Sequence, residues 1–467
     1  MRGTVLAVDL GGSSLRVALV GGEGGIRALH ALPQRSGAEA EPEDWWRAVQ
    51  AGAEALLAAD PAGFATLRAV AVSAFTRSLV LVDRAGAVLR PAILWGDTRA
   101  EARLPALHAR LPDGHAETAQ ISAFHPLARL FWLAGEEPGV LSRAAAAIEP
   151  KDYLNACLTG AVASDVISSA RLAASATLFA SAGLPALLPP LNRPGEVMGH
   201  VRAGLPGALA RLAGLPVMAM AHDSWAAVLG LGAMRAGCAY CISGTTEVLG
   251  LLHDAPAVAP GLLTVDWGGL WQLGGPSQHG ADLLAWLAAM GVAAEEAPPG
   301  DPLPLLFLPT LAGERVPHWD PALRGAFLGL AREHGAAEMR RAVMQGVALN
   351  NRTVLERAEA ATGRAAEELR LGGGGAMPGW AQLRADVLGR PVVLTEGREP
   401  GLLGCAVAAF AALEDVPLEV MQARLVRTAA QFAPDPRRHA MATRLHALFR
   451  QAEEAVAPVS RALAGFS

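Results

Sequence analysis

The feature that most restricts how this chain can fold is a pattern that occurs twice. Residues 4–9 are apolar up to Asp9, break at Gly11 and Gly12, and resume as a second apolar run at 15–20. Residues 238–243 do the same, breaking at Gly244, Thr245 and Thr246 before the run 248–252. Both read as β-hairpins with small-residue tips. A Walker or dinucleotide loop would instead open a helix and space its glycines differently. Helical periodicity follows the first hairpin at 45–59, with strands at 69–73 and 79–82. Helices are predicted after the second at 281–290, 336–361, 379–388 and 402–413, with a last one over about 435–463. In a chain of 467 residues, too long for one ordinary core, this predicts two similar layered α/β domains facing each other across a cleft. The division falls near 234–237 and is taken as 1–235 and 236–467.

Composition narrows the classes of function. The chain is 52% hydrophobic and 18% charged, which is globular, and no run approaches ~20 uninterrupted apolar residues, so no membrane span is expected. The start passes from Met1 to the apolar residues 5–8 without the charged region or cleavage site of a secretory leader, and a cytoplasmic enzyme is expected. A net charge of −5 with scattered basic residues gives no basic stripe for a nucleic acid. Nearly all basic residues are Arg, Lys151 being the only lysine. Four cysteines are too few for a disulfide framework. Cys238 and Cys241 form a CxxC around an apolar run with no second pair for zinc, and read as buried thiols, with redox or metal chemistry as the alternative.

The most specific motif is Gly325-Ala-Phe-Leu-Gly-Leu330, followed by Glu338-Met339, Ala342-Val343-Met344 and Gln345. A second block has Phe124, Pro126, Leu130 and Trp132, with Arg129 between them. Further blocks are Arg90 to Arg99 around Trp95 and Asp97, Lys151-Asp-Tyr-Leu154, Ala221-His-Asp223, Ser243-Gly-Thr-Thr246, Leu308 to Arg315, and Gly373-Gly-Gly-Ala376. In these blocks, in this order and over nearly its whole length, the chain resembles the FGGY carbohydrate kinases, the group that includes xylulokinase, gluconokinase and glycerol kinase. It departs from them at Arg129, where Lys is usual, and at Gly135, where a polar residue is usual. The resemblance implies a pair of ribonuclease-H-like domains of the actin and Hsp70 ATPase class flanking a catalytic cleft, with sugar and catalytic base on 1–235 and nucleotide on 236–467.

Phosphoryl transfer needs a positioned nucleophile, donors for the phosphates and a metal to neutralise charge. Gly11, Gly12 and Ser13 at one tip, and Gly244, Thr245 and Thr246 at the other, let backbone N–H groups approach phosphate oxygens. The resemblance implies that Asp9 helps to hold Mg²⁺, directly or through water; the plainer reading is an Asp that satisfies turn amides. The family usually has Thr at the place of Gly12, so one hydroxyl contact is absent. Asp223 precedes the apolar helical stretch 225–234 and reads as an N-cap. By resemblance it is also the catalytic base, and a helix N-terminus favours the carboxylate form that accepts a proton. Ser224 is then a sugar contact and His222 a packing residue.

Substrate selection rests on Phe75-Thr76-Arg77-Ser78, where xylulokinases carry Gln-Met-His and gluconokinases Met-His-Ser. Arg77 takes the place of a sugar-binding His, with Ser78 beside it. Its guanidinium suits the carboxylate of an aldonate, or donates to hydroxyls, or is a surface group with no ligand. Asp97 is a candidate hydroxyl acceptor and Phe124 an apolar wall. The adenine site implied by the resemblance uses Gly373, Gly374 and Ala376, in a segment one residue shorter than in xylulokinase and with Pro378 near a usual Ser or Asn. Glu314 and Arg315 read as a structural pair near the cleft.

The expected reaction is ATP + sugar → ADP + sugar phosphate, by in-line transfer to a terminal hydroxyl with closure excluding water. A ketopentose such as xylulose is favoured over glycerol. The alternatives are a gluconate (aldonate) kinase and, outside the enzymes, a non-catalytic sugar or nucleotide sensor of the same fold. An actin- or Hsp70-like ATPase is disfavoured, because the Asp223 block and the 325–345 signature are kinase features. Partners are the small-molecule sugar and ATP, with no nucleic acid and no membrane; a homodimer is expected because dimers are common in similar proteins.

Overall fold

The structure, a computed structural model, describes residues 3–34, 37–292 and 300–466. It forms two compact units: Met1–Gly230 with Gly401–Leu425, and Leu231–Pro400 with Val426–Ser467.

In the first unit the hairpin is a strand pair, Thr4–Leu10 antiparallel to Ser14–Gly21, with Asp9 opposite Arg16. On its other edge Thr4–Leu10 runs parallel to Leu67–Ala74, which sets Asp9 beside Ser73. The sheet has six strands, in the order Val197–His200, Pro216–Met218, Leu67–Ala74, Thr4–Leu10, Ser14–Gly21, Ile26–Pro33. Alternation sends Leu6, Val8 and Leu10 to one face, where they meet Leu15, Val17 and Leu19 and the buried side of the helix Pro42–Ala59. That helix starts with Pro at its first turn, has Glu43 and Asp44 there to suit the dipole, and buries Trp45, Val49, Ala53 and Leu56 at helical spacing. Trp45 meets Phe75 edge-on at 5.8 Å, which anchors the start of the segment 75–78.

The second unit repeats the plan. Cys238–Ser243 pairs antiparallel with Glu247–His253 and parallel with Glu368–Gly372. Its seven strands run Leu263–Asp266, Trp271–Ser277, Glu247–His253, Cys238–Ser243, Glu368–Gly372, Val392–Thr395, Thr428–Phe432. In both units the first strand sits between its hairpin partner and a parallel strand from later in the chain, with another beyond, and helices cover the sheet. This is the ribonuclease-H-like arrangement expected twice over. Helices form at Asp282–Ala289, Ala336–Thr362, Pro378–Leu388 and Pro436–Ala464.

Two features differ from the sequence reading. The compact units do not divide at 1–235 and 236–467, because the helix Pro400–Glu414, all but its first residue, groups with the first unit. It is buried nearly all round and rich in small residues, so it has no solvent side to orient it and packs deeply. Cys405 Sγ donates to the Val8 carbonyl at 3.7 Å, and a Cβ on Gly404 would stand 1.8 Å from the Ala226 carbonyl oxygen. The helix expected at 225–234 is shorter, Asp223–Gly230, since Gly232 follows with φ +77° and ends it. Cys238 and Cys241 are free thiols whose odd spacing on one strand sends them to opposite faces. Among the described residues no helix is long and apolar enough to cross a membrane.

Candidate active site

Two carboxylates of the first unit, Asp9 and Asp223, lie near enough to act on each other electrostatically. Asp9, the last residue but one of its strand, is half-buried; Ser73 Oγ donates to its Oδ1 at 2.8 Å, and a Cβ on Gly401 would lie 2.7 Å from its Oδ2. Burial raises its pKa, against the Ser73 hydrogen bond and the Arg16 charge that lower it. Asp223 is the first residue of its helix, not the cap. The cap is supplied by His222, whose Nδ1 accepts from Trp225 N at 3.3 Å. Burial holds His222 down at about 4, so the ring is neutral and its lone pair is available for that bond.

Freed from capping, Asp223 receives Ser224 N at 2.6 Å and Ser224 Oγ at 3.2 Å, both on Oδ1. Among the described residues nothing donates to Oδ2. Desolvation, then the Asp9 charge, push Asp223 up to about 7, against the two Ser224 bonds. Its side chain is 38% exposed, so one side is open to a ligand. A carboxylate with one bare oxygen and a pKa near neutrality is suited to take a proton from a hydroxyl.

The segment 75–78 is locked from two directions. Arg77 has φ +60°, an uncommon conformation for a residue with a side chain. Glu149 accepts from Thr76 Oγ1, Arg77 N and Ser78 N, each at 3.2 Å, and also begins the helix Pro150–Thr159 through a reciprocal capping box with Asp152. From the other side Arg129, 1% exposed, donates to the Arg77 carbonyl and to the carbonyls of Leu94, Trp95 and Asp97 at 2.9, 3.1 and 3.2 Å. One guanidinium thereby ties the Arg77 turn to the Trp95 turn. The Arg77 side chain is exposed and makes no ion pair among the described residues; Arg171 acts on it as a like charge and Glu149 as an opposite one.

Asp97 differs from its expected role. Arg99 Nε reaches both of its oxygens at 2.9 Å, and Arg99 N adds a bond to Oδ1 at 2.8 Å. Its acceptor capacity is largely used inside the protein, and the Arg99 charge and hydrogen bonds hold its pKa down against desolvation. Phe124 and Trp95, 42% and 50% exposed, present aromatic faces of the kind that stack on sugar C–H groups.

In the second unit three segments converge on Ser243. The tip closes by Gly244 N to the Thr246 carbonyl at 2.8 Å. Gly373 has φ +82°, and a Cβ there would stand 2.4 Å from the Ser243 carbonyl oxygen, which itself accepts from Gly375 N at 3.1 Å. Gly280 packs so closely that a Cβ would fall 2.7 Å from the Gly244 carbonyl oxygen, and Ala281 N donates to that oxygen at 2.8 Å. Gly244, Thr245, Thr246, Gly373, Gly374 and Ala376 thus lie together around Ser243, with the buried Gly280 and Gly375 packed against them. Glu314 and Arg315 hold the approach to it: Glu314 accepts from Ser277 Oγ at 2.8 Å and Gln278 N at 2.6 Å, and Arg315 Nη2 donates to the Ser277 carbonyl at 2.7 Å. Behind the tip, buried Glu247 pairs with buried Arg384 at 2.7 Å and accepts from Asn351 Nδ2 at 2.5 Å. Losing one member of such a pair typically costs ~3–5 kcal/mol.

Comparison with known proteins settles the family. The model of the N-terminal domain of the FGGY family of carbohydrate kinases matches residues 4–230, and that of the C-terminal domain matches 239–413. The chain belongs to the FGGY family of carbohydrate kinases. It is 28% identical to the xylulose kinase of Klebsiella pneumoniae, over 92% of this chain and 96% of that one. It is 32% identical to the xylulose kinase of Streptomyces coelicolor, over 82% and 81%. The solved xylulose kinase of Rhodospirillum rubrum superposes with a TM-score of 0.83 at 26% identity, covering 98% of this chain and 99% of that one.

FGGY kinases use ATP with Mg²⁺, and the donors fit that ion. Mg²⁺ in nucleotide enzymes takes one or two carboxylates, waters and phosphate oxygens, and Asp9, with the charge of Asp223 near enough to act on it, would be the protein's ligand. The desolvation that raises both carboxylates is what a cation would relieve.

Sequence reasoning missed Gly401, Gly280 and the clamp Glu149; it met Arg129 only as a departure from the family's Lys, and Gly375 only as part of the block 373–376.

Proposed function

We propose that this FGGY kinase phosphorylates a ketopentose, xylulose, at a terminal hydroxyl, with Asp223 as the base, the first unit binding the sugar and the second the nucleotide. The observation that carries the chemistry is the bare Oδ2 of Asp223, on a carboxylate poised near neutrality by burial and by Asp9. Similarity to xylulose kinases over nearly the full length supports the choice of sugar.

In this reading Asp223 accepts the hydroxyl proton as that oxygen bonds to the γ-phosphorus, and the bond to the β,γ-bridging oxygen breaks to release ADP. Asp9 would hold Mg²⁺, which when bound would supply positive charge to the transferring phosphoryl group. Ser224 holds Oδ1 and leaves Oδ2 to the sugar. Arg77 and Ser78 donate to hydroxyls along the chain of the sugar, while Phe124 and Trp95 cover its C–H face. Asp97 orders Arg99 and the Trp95 turn and takes at most one hydroxyl. Backbone N–H groups at 11–13 and 244–246 receive phosphate oxygens, and Gly373, Gly374 and Ala376 admit the purine. A cytoplasmic homodimer belongs to the same reading.

A second reading is favoured by one observation. The Arg77 guanidinium forms no ion pair among the described residues; Arg171 acts on it as a like charge and the buried Glu149 as an opposite one. An aldonate would supply the missing anion. ADP release measured by coupled assay over ketopentoses, aldonates, alditols and glycerol decides between them: turnover on xylulose supports the first reading, and preference for gluconate replaces it with the second.

A further inference from the structure

The second unit contains a cavity of about 360 Å³ between the helix Pro436–Ala464 and the segment 308–324. None of the residues assigned to the nucleotide lines it. Its size falls within the range of small-molecule sites.

Its charges are not balanced. Two of its acids are paired, Asp320 with Arg461 at 2.7 Å and Glu453 with His318 at 3.0 Å. Three other guanidiniums on the wall have no carboxylate partner among the described residues. Arg324 donates only to the carbonyls of Pro321 and Leu323, Arg357 to that of Pro260 at 3.2 Å, and Arg450 stands exposed at the rim. Glu454 is the single remaining acid of the lining. Leu308, Leu323 and Val456 also line the cavity, the first two buried. Guanidiniums with no carboxylate to meet them, in a cavity that also has apolar lining, fit a ligand that carries a phosphate and an apolar body.

The wall also touches the machinery of the nucleotide surface. Asp320 and Glu314 exchange backbone hydrogen bonds, each at 2.9 Å. Glu314 in turn holds Ser277 and Gln278, and Ala281 N bonds the Gly244 carbonyl. A ligand that draws 318–324 inward therefore pulls on the tip 244–246 through contacts already made.

We propose that this cavity is an effector site for a small phosphomonoester with an apolar body, whose binding changes the affinity for ATP. Only the kinetic half rests on the assignment of 244–246 to the phosphates; binding is independent of it.

The test uses phenyl phosphate and inorganic phosphate as probes in calorimetry on the full chain saturated with Mg-ADP, so that the phosphate positions of the nucleotide site are filled. Phenyl phosphate is expected to bind, inorganic phosphate more weakly, and Arg357→Ala/Arg450→Ala to weaken phenyl phosphate by about tenfold or more. Arg450→Ala alone, at an exposed position, serves if the double variant melts early. No heat from phenyl phosphate at millimolar concentration, or equal affinity in the variants, overturns the site. In steady state, phenyl phosphate is expected to shift KM for ATP in the wild type and not in the double variant; an unresponsive KM overturns the effector role while calorimetry still reports the site.

Discussion

A β-carbon on Gly401 would stand 2.7 Å from Asp9 Oδ2. The carboxylate assigned to Mg²⁺ is thus pressed against the first turn of the helix Pro400–Glu414, at the end where the helix dipole favours negative charge. Only glycine leaves that space. Gly401→Ala is expected to displace Asp9, lower kcat by about ten- to hundredfold and raise the Mg²⁺ concentration for half-maximal rate. Alanine is the better helix former, so Tm should hold while activity falls. Unchanged Mg²⁺ dependence would remove Asp9 from the metal site.

Gly12 is a different case, because its backbone does not need glycine: a Cβ there meets nothing within 4 Å, and its φ is not left-handed. Gly12→Thr, which restores the hydroxyl usual in FGGY kinases, is expected to be tolerated and to lower KM for ATP by about two- to tenfold, the value of one hydrogen bond. Steady-state KM for ATP at saturating sugar checks this.

The base sets the acid limb of the pH profile. With Asp223 at about 7, kcat/KM is expected to fall below neutrality as the carboxylate takes a proton and cannot accept the sugar's. Ser224 Oγ stabilises the charged form, so Ser224→Ala should move the limb upward, by about half a unit to one unit. A downward shift would contradict the arrangement at Oδ1.

Arg129 holds four carbonyls with one planar fork, which a lysine ammonium cannot reproduce. Arg129→Lys is expected to loosen Arg77 and the Trp95 turn, raising KM for the sugar by about tenfold with little change in KM for ATP. Equal effects on both substrates would point to general destabilisation.

The two hairpins, the helices and the order of the blocks were legible because they are local: apolar alternation, a break at glycine, helical spacing. What could not be read has its cause far along the chain. Nothing near Gly401 announces Asp9, and nothing near Gly280 announces the Gly244 carbonyl. The helix Pro400–Glu414 is apolar on every side, so its pattern could not say which unit it covers. Glu149 both begins the helix Pro150–Thr159 and clamps 76–78, and the second role depends on residues some seventy positions away. The engagement of Asp97 was within reach, since Arg99 lies two residues on in the same turn.

The most direct test of the account is Asp223→Asn beside the wild type, with ADP release followed on xylulose at saturating Mg-ATP and ATP binding measured separately. The account requires turnover by the wild type and a loss of about a thousandfold or more in kcat, somewhat under the top of the range for a general base, with ATP affinity and Tm preserved. If the variant turns over like the wild type, Asp223 is not the base; if the wild type binds ATP yet is silent on every sugar, the chain is a sensor built on a kinase fold.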